Sequence, residues 1–436
     1  MGLFLIVGHC RPLAAAQFIP IRSVAPGYTI SSAFDVSADG TTVVGRFDPG
    51  GATYAYRWTL GSSPTALNLA PHSALNSHSY RVSHDGNRIV GEFGPPTTRF
   101  RWTNGNPVEL LSFLPGSIDD MTPDGSTLIG ADSSDVEYLW NESTGVTPIG
   151  GANDPNHDAF AVSDNGQVVV GGFNNEQLNG TDAYHWTDAG GFTSIGRLPW
   201  TGPPQTAIGS KAYAVSADGS VIVGASSADS EPEDASYSSR AFRWTEETGM
   251  VDIGGSFSGA YGITPNGNVI VGNMNSNVGS VASVWDFVHG MRSIPEMLEN
   301  DGYDLTDWRL TRATAISANG RVIIGEGKNP AGNHEAWVVL LDADEVELNP
   351  IFGDYNDDGT VNAADYTVWR DQFGTLVEEG TGPDGNNNGF VDSFDRLVWH
   401  KNYGNTSLGS TGSIVPEPSA IGLAILALVV GIRIRR

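Results

Sequence analysis

Short apolar runs recur along most of the chain, each cut off after a few residues by Gly, Asp, Asn or Ser. One set reads Ala33-Phe-Asp-Val-Ser37, then Thr42-Val-Val-Gly45, then Tyr54-Ala-Tyr-Arg-Trp58. Runs this short, rich in β-branched and aromatic residues and bounded by turn formers, predict β-strands. Between the first two runs stands a motif of Ser or Thr, any residue, Asp or Asn, then Gly. It occurs seven times, at Ser37 to Gly40, Ser83 to Gly86, Thr122 to Gly125, Ser163 to Gly166, Ser216 to Gly219, Thr264 to Gly267 and Ser317 to Gly320. Asp-Gly and Asn-Gly tolerate positive φ, so each motif predicts a two-residue hairpin turn.

Two further markers keep the same beat. The second run of each unit ends on Gly45, Gly91, Gly130, Gly171, Gly224, Gly272 or Gly325, and the third closes on Trp58, Trp102, Trp140, Trp186, Trp244, Trp285 or Trp337. Seven of the eleven tryptophans are spent on this one task, which predicts that they pack between units. A fourth strand follows, as in Thr147-Pro-Ile149 or Val251-Asp-Ile253. Four antiparallel strands per unit of this length predict propeller blades. The fold class is therefore mainly β, a seven-bladed β-propeller of four-stranded antiparallel blades over residues 17–347. The last unit runs from Trp337 straight into Asp342 without a fourth strand, whereas Phe18-Ile-Pro-Ile-Arg-Ser-Val24 precedes the first unit and belongs to none. That segment is expected to complete the last blade and close the ring. An open β-solenoid is the competing shape and would need terminal caps.

After residue 350 the pattern changes. Asp354 to Asp365 and Asp384 to Asp395 are twelve-residue stretches offset by thirty, each with oxygen-bearing side chains at positions 1, 3, 5, 9 and 12 and Gly at position 6. That is the arrangement by which a short loop wraps Ca²⁺. Val368, Trp369, Phe373 and Gly374 recur as Val398, Trp399, Tyr403 and Gly404, so each loop predicts one short helix with an apolar face and a Gly stop. Over residues 351–405 the chain resembles the type I dockerin family, a duplicated calcium loop and helix. The resemblance implies that Asp354, Asn356, Asp358 and Asp365 hold one calcium, with the Thr360 carbonyl and Asn362 through water. It implies that Asp384, Asn386, Asn388 and Asp395 hold a second, with the Phe390 carbonyl and Asp392 through water. It also implies a cohesin-like or other extracellular protein as partner. Positions 10 and 11 of the loops are Ala363-Ala364 and Ser393-Phe394, so the two halves are not interchangeable in such a contact.

The seven units in turn resemble the HAF extracellular repeat family, most specifically from Asp304 to Gly332. That resemblance implies secretion and a propeller-like fold, and no activity. The termini agree with secretion. Met1 to Gly8 is a short apolar run and Ala14-Ala15-Ala16 supplies small residues for a signal peptidase, giving a signal segment over 1–16 with a buried N-terminal strand as the alternative. Beyond a linker over 406–414, residues 415–436 hold Val415-Pro-Glu-Pro418, an uncharged run to Ile432, and Arg433-Ile-Arg435-Arg436. This resembles the PEP-CTERM sorting tail and implies removal by an exosortase-type enzyme. The run predicts a C-terminal hydrophobic helix of roughly 20 Å, short of the ~30 Å hydrocarbon core, hence a transient anchor, with a permanent tail anchor as the alternative.

Composition narrows the function classes. The formal charge is −27, which repels phosphate backbones and excludes nucleic acid as the expected partner. Cys10 is the one cysteine, so no disulfide framework is expected. None of the nine histidines forms a recognisable metal spacing. Gly255-Ser-Phe-Ser258-Gly259 matches the nucleophile-elbow pattern but lies between predicted strands, where that elbow does not form. The acidic stretch Ala228 to Ala235 suits a cation or a solvated loop, and Trp200 suits sugar stacking or local packing. The expected function is a secreted, surface-destined, calcium-binding modular protein with a structural or adhesive, non-enzymatic role. The alternatives are an extracellular polysaccharide-degrading enzyme, which needs two carboxylates flanking a pocket, and a glycan-binding lectin using the propeller face.

Overall fold

The chain divides into two compact units, Met1–Leu348 and Asn349–Arg436. The structure is a computed structural model that describes residues 16–21, 30–48, 50–62, 65–69, 76–150, 157–175, 180–199, 209–229, 237–341, 346, 352–356, 358–377, 382–385 and 390–404. The signal run before Ala16, Cys10, Trp200, most of the acidic stretch and the whole sorting tail lie outside the described residues. Among the described residues no helix is long and apolar enough to cross a membrane.

The first unit is a seven-bladed propeller of four-stranded antiparallel sheets. The inner strands are Ile30–Val36, His78–Val82, Asp120–Met121, His157–Val162, Ser210–Val215, Gly259–Ile263 and Arg309–Ile316, which number blades 1 to 7. Ring closure is as expected as far as Ile21, residues 22–24 of the segment lying outside the described residues. Gln17–Pro20 pairs antiparallel with His334–Leu340, setting Gln17 opposite Leu340 and Pro20 opposite Trp337, and the Ile21 N–H continues the ladder to the Ala336 carbonyl. Blade 7 also bonds directly to blade 1, where Ala336 N–H donates to Ser31 Oγ at 3.0 Å and Asn319 N–H to the Ala38 carbonyl at 3.2 Å. An open solenoid has no such contact between its first and last units.

Each repeated tryptophan sits in the seam between its own blade and the preceding one. Trp58 packs with Val322, Ile324 and Val338 of blade 7, and Trp285 with Val221, Val223 and Ala241 of blade 5. Trp337 is fully buried among Val269, Val271 and Val284 of blade 6. A buried ring of this size removes ~150–250 Å² from water, on the order of 4–6 kcal/mol of gross transfer free energy per seam. Blade 6 leads into one helix that the strand pattern did not anticipate, α1 (Ile294–Asn300). Its Ser293 cap accepts from Glu296 N–H and Leu298 is fully buried.

The turn motif departs from the two-residue hairpin. In blade 1 the turn is longer: Ser37 N–H donates to the Thr42 carbonyl, Gly40 N–H returns to the Ser37 carbonyl, and Gly40 takes φ 76° while Asp39 keeps a negative φ. The reason is the Ser hydroxyl. Ser37 Oγ donates to Asp39 Oδ1 at 2.7 Å and accepts from Thr42 N–H at 2.9 Å, and Asp39 Oδ1 accepts from Thr41 N–H. Side-chain oxygens therefore close the turn, which explains three of the four motif positions. Ser163 with Asn165 and Ser317 with Asn319 repeat the arrangement.

The marker glycines answer a different need. A Cβ on Gly45 would lie 2.0 Å from the Ser32 carbonyl oxygen, and one on Gly171 1.9 Å from that of Asp158. In both blades the inner strand then bulges by one residue, at Phe34 and at Phe160.

The second unit has two halves. α2 (Ala363–Gln372) and α3 (Ser393–Asn402) each follow an acidic loop. The Trp369 indole N–H donates to the Asp392 carbonyl and the Trp399 indole N–H to the Asn362 carbonyl, both at 2.7 Å. Gly374 N–H donates to the Val391 carbonyl and Gly404 N–H to that of Val361, both at 2.8 Å. Every tie thus has a partner thirty residues away, and Val361 and Val391 are fully buried between the halves.

Gly171→Ala should destabilise the propeller by about 1–3 kcal/mol, the usual cost of forcing atoms into a packed site. Gly190→Ala, whose Cβ would meet only the Thr187 hydroxyl, should stay within roughly 0.5 kcal/mol. Urea unfolding of the two variants checks the difference.

Candidate functional site

The bulges put one residue per blade where the strand leaves its pleat. The shift falls at Phe34, Tyr80, Phe160, Tyr213, Tyr261 and Thr314. Asp119 holds the same place in blade 3, three residues before Thr122. These side chains are half-buried. They form two arcs: Phe160, Tyr213 and Tyr261 with ring centroids 5.4 and 5.3 Å apart, and Phe34 with Tyr80 at 6.0 Å. The polar residues Thr314 and Asp119 occupy the two gaps between arcs. Cations stand over the rings, Arg46 at 5.8 Å from Phe34, Lys211 at 5.2 Å from Phe160 and Arg312 at 5.1 Å from Tyr261.

The collar opens on an axial channel of about 200 Å³ whose far end is lined by residues of the turn motif's variable position, including Ala38, His84, Asp164 and Pro265. One wall is charged. Arg81 Nε donates to Asp120 Oδ1 at 2.8 Å. Asp35 accepts from Val36 N–H and from Val82 N–H of blade 2, and Asp120 Oδ2 accepts from Val162 N–H of blade 4. Burial pushes the Asp35 carboxyl up to about 6, against the pull of the Arg81 guanidinium and the two backbone N–H groups. The same position is Ala161, Ala214, Gly262 and Ala315 in blades 4 to 7. The three-ring arc therefore stands over a wall of small residues.

The carboxylates do converge on the axis, as a hydrolase would need, but Asp35 Oδ2 and both oxygens of Asp120 are engaged in holding adjacent blades together, and Asp35 Oδ1 accepts from Val36 N–H of its own strand. Ser258 is likewise structural: buried, it accepts from Ala241 N–H at 2.8 Å and donates to the Gly255 carbonyl at 2.6 Å. Ser31, Ser77 and Ser210 make the same tie across their seams. The seam between blades 3 and 4 is different. Glu137 takes the alanine position and His157 the serine position, and Glu137 Oε1 accepts from Ala159 N–H at 2.9 Å. Glu137 Oε2 is buried with no hydrogen-bond partner among the described residues. Burial, and after it the charges of Asp119 and Asp158, pushes this carboxyl up to about 8.

In the second unit the sequence-predicted ligand residues surround two loops. Asp365 is fully buried at the start of α2, its oxygens accepting from Asn356 N–H at 3.1 Å and Asn362 N–H at 2.7 Å. Asp354 accepts from Gly359 N–H at 2.7 Å and Asp358 N–H at 3.2 Å. Burial, and the repulsion of Asp365 and Asp358, holds the Asp354 carboxyl above the ordinary carboxylate range although both backbone N–H groups pull it down. Asn362 caps α2 by accepting from Ala364 N–H, so the helix begins inside the loop rather than after it. The Thr360 carbonyl accepts from the Asn362 side chain at 3.0 Å. In the second loop Asp384 and Asp395 are buried and Asp392 N–H donates to Asp395 Oδ2 at 2.6 Å, the counterpart of the Asn362–Asp365 link. Phe390 bridges to Leu376, and Asn386 and Asn388 lie outside the described residues. Among the described residues no group of three or more His, Cys, Asp or Glu side chains is gathered about one point. The donor set is oxygen throughout, the type that a hard divalent cation takes.

No protein-family profile and no curated protein sequence matches the chain. Among solved structures it is similar to TolB from Acinetobacter baumannii, with 14% identity and TM-score 0.37 over 59% of this chain and 61% of that one. It is also similar to a protein assigned as TolB from Agrobacterium tumefaciens, with 14% identity and TM-score 0.38 over 76% of this chain and 98% of that one.

The collar was missed from sequence, although its residues stand three before the Ser or Thr of each motif and align once the motif is used as the ruler.

Glu137 generates a pH signature. Its folded pKa is raised from 4.5 to about 8, so the stability it contributes is full below pH 4.5 and is lost as pH rises through about 8. Glu137→Gln keeps an acceptor for Ala159 and removes the charge. Urea midpoints at pH 5 and pH 9 should differ less in this variant than in the wild type; equal slopes would show that Glu137 does not titrate there.

Proposed function

We propose that this chain is a secreted, surface-destined, calcium-binding modular protein whose role is structural or adhesive rather than catalytic. The observation that carries the reading is the reciprocal build of the second unit. Two acidic loops are tied back to back by Trp369 and Trp399, each indole holding the carbonyl at position 9 of the other loop. Neither half can reshape its loop without moving the other. Asp354, Asn356, Asp358, Asp365 and the Thr360 carbonyl would hold one calcium, and Asp384, Asn386, Asn388, Asp395 and the Phe390 carbonyl a second, with Asn362 and Asp392 acting through water. The ion would supply positive charge to buried carboxylates, and so order a dockerin-like module for an extracellular protein partner. Removal of the tail by an exosortase-type enzyme would leave the protein at the bacterial surface.

Against a hydrolytic propeller stands the engagement of Asp35 and Asp120 at its axis. A general acid and base must be free to exchange protons with substrate, whereas Asp35 and Asp120 accept backbone and guanidinium N–H groups on both oxygens.

The test is calorimetry of the full chain with calcium, with magnesium and with chelator. A unit of roughly 50 residues is near the lower limit for folding alone, and a ligand at a hundredfold excess over its dissociation constant adds about 2.7 kcal/mol per site. The second unit's transition should therefore move up with calcium, and Asp354→Ala with Asp358→Ala should remove part of that shift. The propeller transition should stay where it is. A second unit already fully stable in chelator would show that the loops are ordinary turns.

A further inference from the structure

We propose that the mouth of the axial channel is a binding site for a neutral polysaccharide, with the arc of Phe160, Tyr213 and Tyr261 as its stacking platform. The inference rests on reading the propeller as a binding domain and not a catalytic one. It starts from where the aromatic residues are. The repeat already spends its tryptophans on the seams, so the collar rings are not needed there. They stay half-buried at the one position per blade that the bulge turns out of the sheet, and three of them on consecutive blades make a continuous apolar surface.

Plugging the ring does not account for them. Blade 7 carries Thr314 and blade 3 Asp119 at the same position, and both blades keep their sheets and seams. Below the arc the wall is Ala161, Ala214 and Gly262, which leaves room for a ligand to enter and not merely to cover the rim.

The chemistry of the surroundings selects the ligand class. A sugar ring has apolar C–H faces and a polar rim, so it needs a flat apolar wall flanked by hydrogen-bonding groups. The flanks here are Asp120, Thr314 and Arg81, with Lys211 paired to Asp158 at 3.2 Å and Arg312 paired to Glu326 at 2.5 Å. In each pair the cation donates to sugar hydroxyls and the carboxylate accepts from them, without requiring a charged ligand. In a chain of formal charge −27 an anionic glycan is also repelled at long range. A pocket lined by aromatic rings with a few placed polar groups is the ordinary form of a small-ligand site.

The experiment is affinity electrophoresis of the full-length chain through gels holding β-glucan, mannan, xylan or galactan, with alginate as the anionic comparison. At least one neutral glycan should retard the wild type, and chelator should leave the retardation unchanged, which separates this site from the calcium module. Tyr213→Ala with Tyr261→Ala should weaken binding about tenfold, which is about 1.4 kcal/mol, while the thermal midpoint of the propeller holds. Tyr213→Phe with Tyr261→Phe should keep most of the affinity. Tyr261→Thr, which copies the residue type of blade 7, serves if the double alanine variant unfolds, and it too should weaken binding. Retardation by no neutral glycan, by alginate alone, or equally in wild type and ring-deleted variants would overturn the proposal. So would binding that chelator abolishes.

Discussion

In each blade a carbonyl oxygen of the inner strand is pressed against the marker glycine of the second strand, leaving no room for a Cβ. The separations would be 2.0 Å at Gly45, Gly91, Gly130 and Gly224, and 1.9 Å at Gly171 and Gly272. The approach accompanies the bulge of the inner strand, and that bulge places one side chain per blade over the channel. On the same third strand the aromatic side chain fills the space beside the glycine, as Tyr56 does at Gly45 and Phe100 at Gly91. Two residues on, the tryptophan of blades 1 to 6 enters the seam, whereas in blade 7 Trp337 itself stands opposite Gly325 and Val339 holds the later place. Collar, channel and seams therefore descend from one steric constraint that recurs from blade to blade.

Much of this architecture was legible because it is local and repeated. The Gly and Trp markers count the blades, and the lone segment before the first unit has only one vacancy to fill, which Gln17–Pro20 takes. The Ser-x-Asp-Gly motif marked the turns correctly but not their form, since positive φ on the glycine alone suffices when the Ser hydroxyl closes the loop. α1 was legible and missed: Ser293-Ile-Pro-Glu296 carries a cap residue, an early proline and an acid in the first turn. The collar was hidden by its cause. A bulge inserts one residue into the period-2 alternation, so Phe34 and Tyr213 read as core positions of a regular strand when they are not.

The channel cluster was illegible for another reason. Asp35, Arg81 and Asp120 come from three blades, and nothing in their neighbourhoods along the chain says that they meet. The same holds for Glu137 and His157, which replace an alanine and a serine at the seam between blades 3 and 4. In the second unit the thirty-residue offset exposed both loops and both helices. The exchange of tryptophan bonds between halves needed coordinates, because each indole serves the loop it does not follow. The chain thus separates two kinds of chemistry, carboxylates suited to a cation in one unit and aromatic rings around a channel in the other.

The central claim, that glycine-permitted bulges turn one set of tyrosines outward while the third strand buries another, is tested most directly by residue-resolved tyrosine modification of the native chain, read by mass spectrometry. Tyr80, Tyr213 and Tyr261 should react, and Tyr56, Tyr138 and Tyr184, which are 0%, 2% and 0% exposed, should be protected until the propeller unfolds. Equal labelling of the two sets, or protection of Tyr213 and Tyr261 with labelling of Tyr56, would contradict the account.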